Sequence, residues 1–379
     1  MDYRAREHLS AQTNVLLRAI SAPTKASMSD EPQARPKRRP RYRGKNPRRF
    51  EEKYKEHNPE RYSAEVAQII ASGKTPAGSH RPILVAEILS VLKPKPGEIG
   101  VDATLGYGGH TIELLQRVLP NGRVLALDVD PIELPKTEHR LRLAGFGPEV
   151  LTIRRSNFAG LPQAMSASGL EQADVILADL GLSSMQIDNP ARGFTFKWDG
   201  PFDLRLNPQR GQPASVFVSR LAVNELAGIL RDYSDEPEAP AIAASLCEAA
   251  AQEKLSTTLQ AADAIRRVLD REGNARRRQD LDATIRRVFQ AVRIAVNDEF
   301  GALEMFLRNL PTCLKAGGRV AILTFHSGED RRVKQALQLG RRTGEYSTIA
   351  DEVVRPSWEE TRSNPRASAA KLRWAIRSP

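Results

Sequence analysis

The apolar residues beyond position 80 fall into short runs separated by glycine-containing loops. Ile99–Ala103 has the composition of a buried strand and continues into the loop Thr104–His110. Apolar side chains then recur at helical spacing at Ile112, Leu115, Val118 and Leu119. A further apolar run, Val124–Leu127, ends at Asp128. The pattern predicts a strand–helix–strand unit with a loop after each strand.

Four more segments have the pattern of strands. They are Val150–Ile153, Val175–Ala178, Arg319–Phe325 and residues 372–376. Helical patterns separate most of these segments along the chain. Strands that alternate with helices form a twisted, largely parallel sheet with helices on both faces. The sequence therefore predicts an α/β fold.

A long insertion separates the fourth and fifth predicted strands, because about 140 residues lie between them. Helical spacing recurs within it at Ala222–Leu230, Ala239–Ala251 and Thr258–Leu269. We expect residues 191–285 to form an inserted helical subdomain. A continuous apolar stripe from Ile285 to Leu310 predicts one long helix that returns the chain to the sheet. The sheet domain would then comprise residues 80–190 and 286–379.

The charge of the chain is concentrated near its amino terminus. Residues 1–63 contain 16 Lys and Arg against 8 Asp and Glu, whereas the whole chain carries a net charge of +11. Nine of the fifteen residues 35–49 are basic, with interspersed prolines and Tyr42. We expect residues 1–79 to be a largely disordered basic arm that binds RNA phosphates, the alternative being a solvated charge run. Met28 is expected to be an alternative start.

The amino-acid composition also indicates where in the cell the protein is expected. Cys247 and Cys313 are the only cysteines and are far apart, which argues against a disulfide framework or a thiolate metal site. No apolar run approaches the length of a membrane span, and acidic residues lie upstream of the short apolar stretch near Val15. We expect a cytoplasmic protein that does not contact a membrane.

The loops after the first two strands favour a nucleotide-like cofactor. Glycines at 106, 108 and 109 permit a tight turn and close approach of a ligand to the start of a helix. The same loop taken alone also fits an ordinary strand-to-helix turn. Asp128 ends the second strand, where a carboxylate can accept both ribose hydroxyls of an adenosine. Thr111 replaces the third glycine of a dinucleotide fingerprint, which favours S-adenosylmethionine over NAD.

Asp179 follows the fourth strand, at the same expected edge of the sheet. Its carboxylate could accept a hydrogen bond from an exocyclic amine and so promote attack on a methyl group. A helix cap is the structural alternative for Asp179. His326 and Ser327 follow the fifth strand, but the absence of a G-x-S-x-G elbow argues against a hydrolase. No group of residues has convincing metal-ligand spacing, so we expect no metal.

The segment 192–205 mixes aromatic, basic and acidic residues without a regular period. Rings at Phe194, Phe196 and Trp198 could hold a flipped base, while Arg192 and Arg205 bind phosphate. The structural alternative is a subdomain core with ion-paired arginines. The sequence leaves both interpretations open.

Several separated motifs together resemble the MraW family of methyltransferases, which act on small-subunit ribosomal RNA. The motifs are D-A-T-L-G-Y-G-G-H at 102–110, A-L-D-V-D-P at 126–131, N-F at 157–158, A-D-L-G-L-S-S-M-Q at 178–186, R-G-F-T-F at 192–196, F-H-S-G-E-D-R at 325–331 and N-P-R-A-S-A-A-K-L-R at 364–373. They occur in order over about residues 80–379, with the basic arm outside the similarity. The chain is thereby identified as similar to this family along most of its length.

The resemblance implies a class I, Rossmann-like methyltransferase fold with an inserted domain. It also implies methylation by S-adenosylmethionine of the N4 amino group of a cytidine in the decoding region of 16S ribosomal RNA. The cofactor residues carried over by motif are Gly108, Gly109, His110, Asp128, Phe158, Asp179 and Gln186, to which the glycine-loop argument adds Gly106. We place substrate contacts at His326 and Ser327 as well as in 192–205. We expect an assembled 30S particle as partner, with a homodimer left open.

Three positions depart from the family pattern: Gly328 replaces Leu, Ser234 replaces Gly, and residues 282–287 read D-A-T-I-R-R. We expect these departures to affect the substrate side. They motivate two alternatives, a methyltransferase of the same fold acting on another RNA or DNA site, and a ribosome-assembly factor without catalysis. Intact Gly108, Gly109, Asp128 and Asp179 argue against the second alternative.

Overall fold

Seven strands form one sheet in the computed structural model, which describes residues 82–270 and 278–379. The strands are β1 Ile99–Asp102, β2 Arg123–Asp128, β3 Leu151–Arg155, β4 Ala173–Asp179, β5 Leu314–Thr324, β6 Tyr346–Ile349 and β7 Lys371–Arg377. Their spatial order is β3-β2-β1-β4-β5-β7-β6. Strands β1 to β5 are parallel, and β7 is antiparallel to both β5 and β6. This is the class I methyltransferase order, so the predicted fold class is confirmed.

The start of β5 differs from the prediction. The predicted strand starts at Arg319, whereas the observed strand already begins at Leu314, opposite Ala173 of β4. The register then shifts, so that Arg319 pairs with Val175. A bulge therefore holds the two glycines of this segment within the strand rather than before it.

Helices cover both faces of the sheet. The helices are α1 Val85–Leu92, α2 Gly109–Val118, α3 Glu133–Leu143, α4 Leu161–Ser166, α5 Ser184–Asp188, α6 Ala214–Ser219, α7 Val223–Ser234, α8 Ala239–Ala251, α9 Thr258–Asp270, α10 Arg278–Asn297, α11 Glu299–Cys313, α12 Ser327–Arg342 and α13 Trp358–Ser363. Helices α1, α2 and α3 contribute to one apolar cluster, and α4, α11 and α12 contribute to the other. Both faces of a parallel sheet are thus buried, as apolar strands require.

The insertion has a separate hydrophobic cluster. It is built mainly from α6 to α10 and includes Phe202, whose side chain is 1% exposed. Phe196 and Phe202 both pack against Phe289 of α10, with ring centroids 5.7 and 5.3 Å away. Aromatic pairs at such distances add to the stabilisation from burial alone. Helix α10 therefore packs with the insertion, whereas sequence analysis placed the boundary at residue 285.

The predicted single helix from Ile285 to Leu310 is wrong, because the chain forms two helices that meet at Asp298. Asp298 has a φ of 48°, in the left-handed region, which ends α10. Asn297 donates a hydrogen bond from Nδ2 to the Leu204 carbonyl and accepts one at Oδ1 from the Leu206 N–H. These contacts hold the end of α10 against the insertion. We propose Asp298 as the boundary between the insertion and the sheet domain.

The predicted basic arm, residues 1–79, lies outside the described residues. Among the residues that the structure does describe, no helix is both long and apolar enough to cross a membrane.

Replacing Phe202 by Ala should lower the free energy of unfolding by about 3–5 kcal/mol, because the change leaves a cavity in a closed core. Urea denaturation followed by circular dichroism measures this loss. Trp358→Ala is the matched control, since that side chain is 68% exposed and its loss should cost less than about 0.5 kcal/mol. Equal losses in the two variants would contradict the assigned core.

Candidate active site

The loop between β1 and α2 lies against the end of β2. The N–H of Gly106 donates a hydrogen bond to Asp128 Oδ2 over 2.8 Å. Thr137 of α3 donates its hydroxyl to the Gly106 carbonyl over 2.6 Å, and Arg140 donates to the Tyr107 carbonyl. Gly108, with a φ of 72°, precedes the first residue of α2. Helix α3 therefore holds the glycine loop in one conformation beside the second strand.

Asp128 lies at the carboxyl end of β2, as predicted. Its Oδ1 accepts a hydrogen bond from the Asp130 N–H over 2.8 Å. Burial raises the pKa of Asp128 to about 6, although hydrogen bonds from the N–H groups of Asp130 and Gly106 oppose this shift. The carboxylate is therefore costly to keep ionised here. Such a perturbed acid in a strand-end loop is typical of a functional site.

Asp179 ends β4, and the described residues do not supply all the hydrogen bonds that its carboxylate can accept. Oδ1 is shielded from water without a hydrogen-bond partner there, and Oδ2 lies 3.6 Å from Nε2 of His110, beyond hydrogen-bond distance. The backbone N–H of Asp179 donates to Thr104 Oγ1 over 2.6 Å. The main chain is thus fixed while the side chain retains acceptor capacity. Buried polar atoms without partners in a protein alone point to a ligand.

His110, in the first turn of α2, is buried beside two carboxylates. Burial lowers the pKa of His110, but the facing carboxylates of Asp179 and Asp102 outweigh burial, so that the net pKa is raised. Glu113 acts in the same direction. The imidazole therefore tends to hold a proton next to Asp179. Its Nε2 has no hydrogen-bond partner among the described residues.

Asp102 and Thr104 also belong to this site, although neither is among the residues predicted from the sequence. Asp102 ends β1, and its Oδ2 accepts the Thr111 hydroxyl over 2.6 Å while Oδ1 accepts the Thr104 N–H over 3.0 Å. Burial raises the pKa of Asp102, against opposing effects of Thr111 and His110. An acidic residue at the end of a strand is the sequence signal that identified Asp128 and Asp179, and the same signal would have identified Asp102.

Gln186 and Phe158 lie at the same edge of the sheet. Gln186 completes a capping box at the start of α5, where its Oε1 accepts the Ser183 N–H over 2.9 Å. Its Nε2 donates to Asp130 Oδ2 over 2.7 Å. Phe158 follows β3 and packs edge-on against Phe306 of α11, with centroids 5.5 Å apart. Both residues therefore lie after the carboxyl ends of parallel strands, with Gln186 already bonded to protein.

The expectation that Arg192 binds phosphate is corrected by the structure. Its guanidinium is buried, donates to Asp130 Oδ2 over 2.6 Å and donates to the Leu206 carbonyl over 2.9 Å. Phe194 and Phe196 are 8% exposed and belong to the core of the insertion, so they are not free to stack on a base. A buried arginine needs a nearby acid. The pair of Arg192 with Asp130 therefore joins the start of the insertion to the sheet domain.

Arg205 is likewise paired rather than free. It forms two hydrogen bonds of 2.7 Å to the Asp203 carboxylate, and this partner raises the pKa of Arg205. Trp198 is 46% exposed and is the aromatic residue of this segment that remains open to solvent. Base stacking therefore stays a prediction for Trp198, whereas the ion-pair interpretation holds for Arg205.

His326 and Ser327 lie at the start of α12. His326 Nδ1 accepts the Glu329 N–H, and its Nε2 lies 3.2 Å from Glu329 Oε1. Ligand atoms of Glu299, His326 and Glu329 lie within 4.8 Å of one another. Arg293 forms two hydrogen bonds of 2.8 Å with Glu299, however, and so already compensates one carboxylate. We assign the cluster to an ion-pair network that fixes the start of α12.

The departures from the family pattern are close together. A Cβ on Gly328 would lie 2.6 Å from Phe300 Cζ, so glycine makes room for this ring. Phe300 in turn packs edge-on against Tyr233, which precedes Ser234. The departures at Gly328 and Ser234 therefore affect the packing between the insertion and α11.

The departure at 282–287 also makes a specific contact. Arg287 donates to Glu236 Oε2 over 2.8 Å, and Thr284 accepts from the same guanidinium. Glu236 is 2% exposed, so this pair joins the segment after Ser234 to α10. None of the three departures contacts Asp128 or Asp179 through a hydrogen bond among the described residues.

The residues at the strand ends fit a nucleoside cofactor that carries a charged amino-acid end. A Cβ on Gly106 would meet only the Thr104 carbonyl, at 3.8 Å, so the backbone is open at that point. Asp128 supplies a carboxylate for ribose hydroxyls, and the incompletely bonded groups of His110 and Asp179 lie next to the glycine loop. These residues would hold S-adenosylmethionine in the arrangement expected from the sequence.

The family model and the curated relatives that match this chain agree on one family. The profile of the family described as MraW methylase matches residues 77–378. Ribosomal RNA small subunit methyltransferase H 1 of Lachnoclostridium phytofermentans is 49% identical over 90% of this chain and 93% of its own length. Ribosomal RNA small subunit methyltransferase H 2 of Alkaliphilus metalliredigens is also 49% identical, over 92% of this chain and all of its own length.

The similarity to these relatives is longer than the motifs indicated. A match over 90% or more of the chain cannot fit within residues 80–379. It therefore includes part of the basic arm, which sequence analysis had placed outside the similarity.

Asp130→Ala should lower the free energy of unfolding by about 3–5 kcal/mol, because it leaves the buried Arg192 without a counter-charge. Urea denaturation measures the change. The double variant Asp130→Ala/Arg192→Met removes both charges and should recover a large part of the loss. A single variant as stable as the parent would contradict the structural role of this pair.

Proposed function

Because this chain belongs to the MraW methylase family, we propose that it transfers a methyl group from S-adenosylmethionine to the N4 amino group of a cytidine. The proposed target lies in the decoding region of 16S ribosomal RNA. The relatives named above are small-subunit ribosomal RNA methyltransferases, which supports this class of substrate. The finer assignment to N4 rests on the family resemblance, and the chemistry of the site is compatible with methylation of an amino group.

The incompletely satisfied Asp179 carboxylate is the observation that carries the proposal. Asp179 ends β4, which pairs with β1, and β1 leads into the glycine loop. Asp128 ends β2, which lies two strands away from β4 in the sheet. A cytosine amino group is a poor nucleophile because its lone pair is delocalised into the ring. A carboxylate that accepts an N–H hydrogen bond favours the pyramidal geometry needed for attack. The site therefore suits methylation of an amine.

The bound cofactor supplies an electrophilic methyl group on a positively charged sulfur. An amino group that accepts a methyl group must release one proton. The Asp179 carboxylate accepts it, while the Thr104 hydroxyl holds the main chain of Asp179 in place. His110, 3.6 Å away, places positive charge beside this carboxylate when protonated. Alignment of the amine by these groups supplies a further part of the rate increase.

We propose that the substrate is an assembled 30S particle, because the exposed Trp198 and the basic arm supply contacts for RNA beyond a single nucleotide. Trp198 would stack on a base near the target. A cytoplasmic location follows from such a partner. A homodimer stays a prediction.

Asp179→Asn should reduce methyl transfer by about 10²–10⁴-fold, because the amide cannot accept the proton that the amine releases. The measurement uses labelled S-adenosylmethionine and 30S particles that lack this modification, followed by nucleoside analysis. Asp174→Asn is the matched control, since Asp174 lies at the other end of the same strand and pairs with Lys315. That control should retain activity.

The same assay separates the alternatives. Label in N4-methylcytidine supports the proposal, and label in another nucleoside would favour a different target site. Cofactor binding by the parent protein without any transfer would point to a different substrate, whereas RNA binding without cofactor binding would favour an assembly factor. Full activity of Asp179→Asn would overturn the role of this carboxylate.

The affinity for S-adenosylmethionine should decrease as the pH falls from 7 to 5. Because the pKa of Asp128 is raised to about 6, the carboxylate that accepts ribose hydroxyls is present above that pH and is lost below it. Asp128→Asn should weaken binding by about 1.5–3 kcal/mol at pH 7 and remove most of the pH dependence. Isothermal titration calorimetry measures both effects. Identical pH profiles for the two proteins would exclude Asp128 as the titrating group.

A further inference from the structure

Helix α12 carries basic side chains on one exposed face. Because successive residues of a helix are rotated by about 100°, Arg331, Lys334, Arg341 and Arg342 fall within an arc of about 100°. All four are exposed, as are Gln335 and Gln338 on the same side. We call these four residues the basic face of α12. No acidic residue of the helix lies on it.

The orientation of this face is fixed by packing on the opposite side of the helix. Val333 and Leu337 are buried in the cluster beneath the sheet. Gly340 is also buried and packs against Tyr346 of β6, where a Cβ would lie 2.5 Å from the ring. Rotation of α12 would expose these apolar residues. The four basic residues therefore point away from the core.

The nearby acids do not neutralise the basic face. Glu329 is buried and accepts the Phe325 N–H, and Asp330 pairs with Lys371 and Arg373. Glu304 of α11 pairs with Arg332, which lies outside the basic face. None of the four basic-face side chains has an ion pair or hydrogen bond with another described residue. Glu345, which follows the helix, lies beside the buried Gly340, where its Oε2 would be 3.1 Å from an added Cβ, and it forms no ion pair with the basic face. Four exposed basic side chains without ion pairs on one side of a helix form a binding surface for a polyanion.

The basic face begins near the proposed site of methyl transfer. Helix α12 follows β5, and Leu323 of β5 is the pairing partner of Asp179 in β4. The helix therefore starts at the edge of the sheet that carries Asp179 and leads away from it. From Arg331 to Arg342 the basic face extends over about 16 Å, at 1.5 Å per residue. That length spans several nucleotides of an RNA strand.

We propose that the basic face of α12 binds the phosphodiester backbone of ribosomal RNA next to the target nucleotide. This inference rests on the proposed function, which supplies the RNA substrate. The face contains Arg, Lys and Gln but no aromatic residue, so it suits backbone contacts rather than base stacking. Such contacts hold the RNA in position without reading its sequence. They release counterions and therefore make affinity depend on salt.

The test compares the salt dependence of RNA binding by two triple variants. Lys334→Gln/Arg341→Gln/Arg342→Gln removes three charges of the basic face, and glutamine retains helix propensity. Lys93→Gln/Lys95→Gln/Arg123→Gln removes three exposed charges near the starts of β1 and β2, at the opposite edge of the sheet. Binding to small-subunit ribosomal RNA transcribed in vitro is measured between 50 and 200 mM KCl, a range of about fourfold in salt.

We expect the slope of log affinity against log salt to fall in magnitude by about 2–3 in the α12 variant, or roughly 0.7–0.9 per lost contact. The control variant should retain the slope of the parent protein. The charge-conserving variant Lys334→Arg/Arg341→Lys/Arg342→Lys should also retain it. Unchanged S-adenosylmethionine binding in all variants shows that the fold and the cofactor site are intact.

Equal slopes for the α12 variant and the parent protein would overturn the proposal. An equal loss in the control variant would also overturn it, because the effect would then reflect net charge alone. Binding is measured independently of methyl transfer, so the two proposals fail separately. A parent protein that binds RNA through α12 but transfers no methyl group would contradict the proposed function only.

Discussion

The buried carboxylate of Asp130 connects three parts of the protein that must keep a fixed arrangement. Its Oδ1 accepts the Ile132 N–H at the start of α3, and its Oδ2 accepts both Gln186 and Arg192. Its own N–H donates to Asp128. One side chain, fully buried, thus joins the end of β2, the loop after β4 and the beginning of the insertion. Because an unpaired ion is costly in this environment, none of these parts can move without loss of stability.

The fold was largely predictable, because strands and helices of a parallel sheet leave strong periodic patterns. The errors occurred where a tertiary contact overrides the pattern. The apolar stripe continues through Asp298, since a single left-handed residue does not interrupt the spacing of apolar side chains. The break depends on hydrogen bonds between Asn297 and the backbone of Leu204 and Leu206, about 90 residues away in sequence.

In the candidate site, too, residues with a regular sequence position were predicted correctly, and residues fixed by tertiary contacts were not. Acids at strand ends were predicted from position alone, since the carboxyl ends of parallel strands share one edge. Arg192 was assigned to phosphate because its sequence neighbours are aromatic and charged, whereas its partner Asp130 lies 62 residues earlier. Sequence spacing does not reveal such a pair. The α12 surface, by contrast, needed the structure to show which face of the helix is buried and which acids are already engaged.

A crystal structure of the protein with S-adenosylhomocysteine would locate the cofactor relative to both strand-end acids. We expect the ribose hydroxyls to be hydrogen-bonded to the Asp128 carboxylate and the sulfur to lie on the side of Asp179, above the loop that begins at Gly106. A ribose bound away from Asp128, or a sulfur that Asp179 cannot approach, would contradict this expectation.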